Sequence, residues 1–112
     1  MTGACYGLRV RIFSRSTLRD FWSRPNRGDS KQSLLSWLEI VRAVDWRHPA
    51  DVKATFGNAS IIGNERVVFN ICGNKYRLIV GIGYEAKHVY VKFLGTHREY
   101  DQVDAETVEQ FR

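Results

Sequence analysis

The block from Ser60 to Leu94 constrains the fold more than any other part of the chain. Its runs "SII", "RVVFNI", "KYRLIVGI" and "HVYVKFL" are rich in β-branched and aromatic residues. Gly63-Asn64, Gly73-Asn74 and the stretch around Glu85-Ala86 separate them. Gly-Asn supplies the positive φ of a tight hairpin, so consecutive runs become antiparallel strands. A turn at Gly73-Asn74 pairs Asn70 with Arg77 and Val68 with Ile79. A turn at Glu85-Ala86 pairs Arg77 with Leu94, Ile79 with Lys92 and Gly81 with Tyr90.

Paired residues share a face and the side-chain period is two. One face therefore collects Val67, Phe69, Ile71, Tyr76, Leu78, Val80, Ile82, Val89, Val91 and Phe93. The other collects Arg66, Asn70, Lys75, Arg77, His88, Tyr90, Lys92 and Thr96, with Val68, Ile79 and Leu94 among them. A slip of one residue would drive charges into the apolar set, which argues for this register. The second face gathers cations with acids only at its margins, an arrangement suited to a polyanion.

The first half of the chain has the helical period instead. "LRVRIF", Leu8 to Phe13, alternates as a strand. Ser16 is the expected cap of a helix burying Leu18, Phe21 and Trp22, limited by Pro25. "NRGDSKQ" reads as a polar loop. Lys31 to Val44 carries Leu34, Trp37, Leu38 and Val41 on one stripe, and "DWRHPAD" breaks it at Pro49. A helical turn follows from Asp51, and "DAETVEQF" suits a last one. Trp22, Trp37 and Trp46 read as core residues, and His48 and His88 as structural. The expected fold is α+β: an N-terminal strand, two helices, then an antiparallel meander with the helices on one face.

Residues 8–112 read as a single domain, and residues 1–7 as a disordered extension. No apolar run has the length of a membrane span. Cys5 and Cys72 lack metal-type spacing and read as ordinary thiols, so a cytoplasmic protein without a membrane role is expected. From Arg98 onward two arginines face five acids, while residues 1–97 hold 15 basic and 7 acidic groups. A basic body with an acidic tail suits a nucleic-acid partner.

The runs "STLRDFW", "ADVKATF", "GNERVVFNICGNKYRLIV" and "VYVKFLGTHREYD" resemble the HigB toxins of bacterial toxin–antitoxin pairs, within the RelE-like superfamily. The most specific parts are "FNI-x-GN-x-YRL" and, some twenty residues on, "GTH-x-EYD". The resemblance implies a RelE-like fold and an mRNA interferase acting on mRNA in the A site of the 70S ribosome. It implies a HigA-like helix-turn-helix antitoxin, with operator DNA reached only through that antitoxin. It also implies chemistry without a metal or other cofactor.

Cleavage of RNA by its own 2′-hydroxyl needs a base, an acid and cations for the crowded phosphorane. Arg77, the arginine of "YRL", is the first choice for the phosphate because guanidinium is bidentate. Lys92 is expected beside it, and Arg66 farther along the same face. Histidine is the side chain whose ordinary charge change falls near neutral pH, so His97 suits general acid or base. Tyr100 suits base stacking or placement of the 2′-hydroxyl. Two roles stand open for Asp101, orienting His97 or capping the C-terminal segment. Lys53, Lys75 and Arg98 are expected to contact RNA or ribosomal phosphate. Two other readings fit the same fold: a ParE-like gyrase inhibitor without catalysis, and an RNA-binding relative that cleaves nothing.

Overall fold

The computed structural model describes residues 10–111. The expected extension at residues 1–7, Cys5, and the start of the first strand at Leu8 lie outside the described residues. The first strand described, β1, is Arg11–Phe13. Helix α1 is Arg15–Trp22, α2 is Lys31–Ala43 and α3 is Pro49–Thr55. Strands β2 (Ser60–Ile62), β3 (Arg66–Ile71), β4 (Tyr76–Gly83) and β5 (His88–Thr96) follow, then a single helical turn, α4, at His97–Tyr100. The sheet order is β1-β5-β4-β3-β2, with β1 parallel to β5 and the other pairs antiparallel. The α+β arrangement read from the sequence is thus present.

Local chemistry explains the boundaries. Ser14, not Ser16, caps α1: its Oγ accepts the Thr17 amide at 3.4 Å, and Ser16 lies inside the first turn. The polar loop before α2 contains a short 3-10 turn at Gly28–Ser30. Pro49 starts α3 rather than merely ending the previous segment, since its missing N–H costs nothing at the first helical position. Asp51 Oδ2 accepts the amides of Arg47 (2.8 Å) and His48 (3.3 Å) at that helix start.

The helices bury Leu18, Phe21, Leu34, Trp37, Leu38, Val41 and Val52 against one sheet face. Phe69 is its aromatic hub: Trp46 stacks on it, while Trp37 and Phe56 meet it edge-on. Full burial of apolar side chains of this size stabilises by about 1.5–3 kcal/mol each.

The β3–β4 register is the expected one, Val68 opposite Ile79 and Asn70 opposite Arg77. Its turn places Cys72 and Gly73 at positive φ (56° and 66°). Glycine accepts that conformation freely, and the branchless Cys72 side chain is tolerated there at some cost. Between β4 and β5 the register holds from Gly83–His88 to Val80–Val91, then changes. Val80 pairs with Val91 but Ile79 pairs with Phe93, so Lys92 is the extra residue of a bulge. Arg77 consequently faces Gly95 rather than Leu94.

The bulge exchanges two side chains between the faces. Leu94 joins the helix-covered core, and Phe93 turns outward to Val68 and Ile79. These three form a second apolar cluster, covered by Tyr100, Val103, Ala105 and Val108. The expected open cationic face is therefore corrected: at its centre the C-terminal segment lies over it. The "DAETVEQF" run is not a helix but turns, with the Thr107 and Val108 amides on the Asp104 carbonyl. Gln110 completes the cover by donating its amide to Lys92 O (2.9 Å) and accepting the Leu94 amide (2.8 Å). Those contacts satisfy the part of β5 that lies beyond the short β1.

Candidate functional site

The site residues expected from the sequence fall into two groups at different ends of the outer face. The first forms where β5 runs into α4. Thr96 and Glu99 close a capping box: Thr96 Oγ1 accepts the Glu99 amide (3.1 Å), and Glu99 Oε1 accepts the Thr96 amide (2.8 Å). The His97 amide donates to Lys75 O at 3.2 Å, which ties α4 to the β3–β4 turn. His97 stands exposed on this turn with Nδ1 3.4 Å from Asp101 Oδ2. Asp101 is therefore placed to orient the imidazole.

Tyr100 lies one helical turn along, its ring centroid 6.4 Å from that of His97. It packs into the second apolar cluster while the Arg77 guanidinium carbon sits 5.8 Å from its ring centroid. Arg77 Nη1 donates to the carbonyls of Asn74 (3.2 Å) and Tyr76 (3.4 Å). Both acceptors are backbone, so among the described residues no carboxylate neutralises this arginine. Gly95 makes the close approach possible: a Cβ there would lie 2.6 Å from Glu99 Oε1 and 2.9 Å from Phe93 Cζ. Arg77, His97 and Tyr100 thus meet at one corner, with Arg98 exposed on the same turn.

Lys92 and Arg66 do not join them. Lys92 lies over Gly81, whose Cβ would meet Lys92 Cε at 3.3 Å. Gly81 is four residues from Arg77, roughly 13 Å along β4. The placement of Lys92 beside Arg77 is corrected accordingly, the bulge and Phe93 standing between them. Arg66 is buried, its side chain 3% exposed, and donates to Ala105 O (3.1 Å), Val108 O (2.6 Å) and Glu109 Oε2 (2.7 Å). Lys92 Nζ donates to Glu109 Oε1 at 3.1 Å. One carboxylate from the acidic tail therefore serves both cations, and Arg66 anchors the C-terminal segment rather than facing solvent.

The remaining predicted contacts are also engaged. Lys53 Nζ donates to the carbonyls of Gly57 and Ala59 (2.8 Å each), closing the end of α3. Lys75 is paired with Asp29, which also accepts the Tyr76 hydroxyl at 2.6 Å. The Lys75 hydrogen bond, then that of Tyr76, holds the Asp29 carboxyl below its ordinary value. Lys75 is correspondingly raised by Asp29, and burial, then Asp29, raises Tyr76. His88 Nδ1 lies 3.0 Å from the Tyr90 hydroxyl.

Sequence reasoning missed Thr96, Glu99 and Gly95, which position the corner. The T-x-x-E spacing of Thr96 and Glu99 is a legible capping-box signal. Among the described residues no group of three or more His, Cys, Asp and Glu side chains is arranged to hold a metal ion. No helix among them is long and apolar enough to cross a membrane.

At one corner of a helix-backed sheet the chain thus sets a cation, an imidazole and a phenol close together. The model of the HigB toxin family, described as the RelE-like toxic component of a toxin–antitoxin system, matches residues 30–103, and the chain belongs to that family. Its partner is accordingly an antitoxin. An mRNA interferase HigB from Escherichia coli O6:H1 is similar, 27% identical over 73 residues that cover 63% of this chain and 71% of the relative.

Proposed function

We propose that this toxin is an endoribonuclease that cleaves mRNA at the Arg77–His97–Tyr100 corner. The observation that carries the reading is the meeting of an arginine without an acidic partner among the described residues, an exposed imidazole and a phenol on adjoining elements. Arg77 contacts the scissile phosphate and offsets charge gained in the phosphorane. His97, oriented by Asp101, exchanges a proton with the 2′-hydroxyl or the leaving 5′-oxygen. Tyr100 packs against the base or places the 2′-hydroxyl. The carboxylate stabilises imidazolium as it forms, as an orienting acid does in other histidine sites. The similar mRNA interferase supports RNA as the substrate.

Within this reading the reaction needs no metal, and it takes place on mRNA in the A site of the bacterial ribosome, in the cytoplasm. Arg98 steers phosphate from the rim of the corner. A HigA-like helix-turn-helix antitoxin neutralises the protein. The test is cleavage of mRNA on programmed ribosomes, with and without a 2′-deoxy nucleotide at the cut position. The expected product ends in a 2′,3′-cyclic phosphate, and the 2′-deoxy substrate stays whole. Equal cleavage of the 2′-deoxy substrate refutes 2′-hydroxyl attack.

A further inference from the structure

The proposed nuclease corner leaves unused a second patch on the outer face, at the β1–β5 rim. Arg11 pairs with His88 and Phe13 with Tyr90, so all four side chains project on that face. The Phe13 and Tyr90 rings stack, centroids 5.2 Å apart and planes 16° from parallel. Both are exposed, at 42% and 40%. His88 meets Phe13 edge-on at 5.2 Å and bonds the Tyr90 hydroxyl at 3.0 Å, fixing the phenol ring. Lys92 Nζ lies 5.6 Å from the Tyr90 centroid. Beside Tyr90 lies a cavity of about 240 Å³ whose lining includes Gly81, Lys92, Asn64, Glu65 and Glu109.

Two large aromatic side chains held in a fixed stack at solvent-facing strand positions leave apolar area in water that the core does not need. Their immediate neighbours are cations and an imidazole rather than the aliphatic residues of a protein-docking surface. Stacked aromatics beside basic side chains are the composition that binds unpaired nucleobases, because every base has a π-face and every nucleotide a phosphate. The excess of basic groups in residues 1–97 favours the same partner.

We propose that the Phe13–Tyr90 stack is a nucleobase-stacking subsite for single-stranded RNA, with Arg11 and Lys92 facing the adjoining phosphates. The proposal rests on RNA being the substrate, as argued above. Gly81, which pairs with Tyr90, and Arg77 lie roughly 13 Å apart along β4. The C-terminal segment lies over the face between them, so a strand reaching both platform and corner passes over that segment. Lys92 is held by Glu109 in the free protein, and an RNA phosphate competes with that carboxylate.

The experiment uses the full chain carrying His97→Ala, so that RNA stays uncut, and a short single-stranded oligoribonucleotide containing 2-aminopurine. Binding is expected to quench the probe. Adding Tyr90→Leu or Phe13→Leu should remove the quenching and weaken binding about tenfold, the scale of one base–aromatic stack. Tyr90→Phe should retain both, and thermal unfolding should show every variant folded. Unchanged affinity and quenching in the leucine variants overturns the platform, as does loss of antitoxin binding with RNA binding intact. A separate cleavage assay on protein with His97 intact keeps the two ideas apart: RNA bound through the platform but never cut defeats the nuclease reading alone.

Discussion

Arg66→Met separates a structural role for this arginine from a catalytic one. Methionine keeps the apolar stem but removes the guanidinium, leaving the Ala105 and Val108 carbonyls without their donor and Glu109 without one of its partners. Each orphaned carbonyl costs about 1–3 kcal/mol. The Glu109 side chain is 36% exposed and can turn to water, so its share is about 1 kcal/mol or less. The total is about 2–7 kcal/mol. In a domain of this size that lowers the unfolding midpoint by roughly 8–28 °C. Unfolding is best followed in a His97→Ala background, which removes the proposed activity during expression. Limited proteolysis should also show faster cutting between Ala105 and Val108 as the segment comes away. An unchanged midpoint, together with lost RNA cleavage by Arg66→Met protein that keeps His97, would place Arg66 in the chemistry and refute the anchoring account.

Three further outcomes follow from the same contacts. Gly95→Ala pushes Glu99 off the Thr96 amide and presses on Phe93, so cleavage should fall at least about tenfold through displacement of His97; strain of this kind costs about 1–3 kcal/mol, measurable by urea unfolding. Arg77→Ala and His97→Ala should each abolish growth arrest while leaving the fold and antitoxin binding intact, checked by circular dichroism and co-purification. Asp29 is depressed below 3.8 in the folded chain, so its stabilisation is complete above that value and disappears as pH falls through the folded value. The stability gap between the parent and Asp29→Asn should therefore be present at neutral pH and close in acid, as denaturation midpoints across pH would show.

Most of the helix-facing sheet is readable from residue order because the Gly63-Asn64 and Gly73-Asn74 turns pin the strands and the alternation then assigns sides. Phe93 and Leu94 are the exception. The bulge that exchanges them adds Lys92 to an otherwise regular alternation, and no local residue preference marks it. His97 and Tyr100 are legible as chemical groups in "GTHREYD", and Arg77 as the arginine of the preceding strand. Their meeting depends on the His97 amide reaching Lys75 O across the sheet end, a contact between residues 22 positions apart. The pairing of Arg66 with Glu109 is longer in range still. From composition the tail is only an excess of acid, and its role emerges once Val103, Ala105 and Val108 lie on Phe93. The Phe13–Tyr90 stack is hidden for a similar reason: it requires the parallel pairing of the first and last strands.

The account turns on whether the His97 corner cuts RNA. Primer extension on mRNA from cells expressing the protein, beside cells expressing His97→Ala at equal level, addresses this directly. Breaks inside codons that are present with the parent and missing with the variant are the predicted result. Intact transcripts in both, or the same breaks in both, would contradict it.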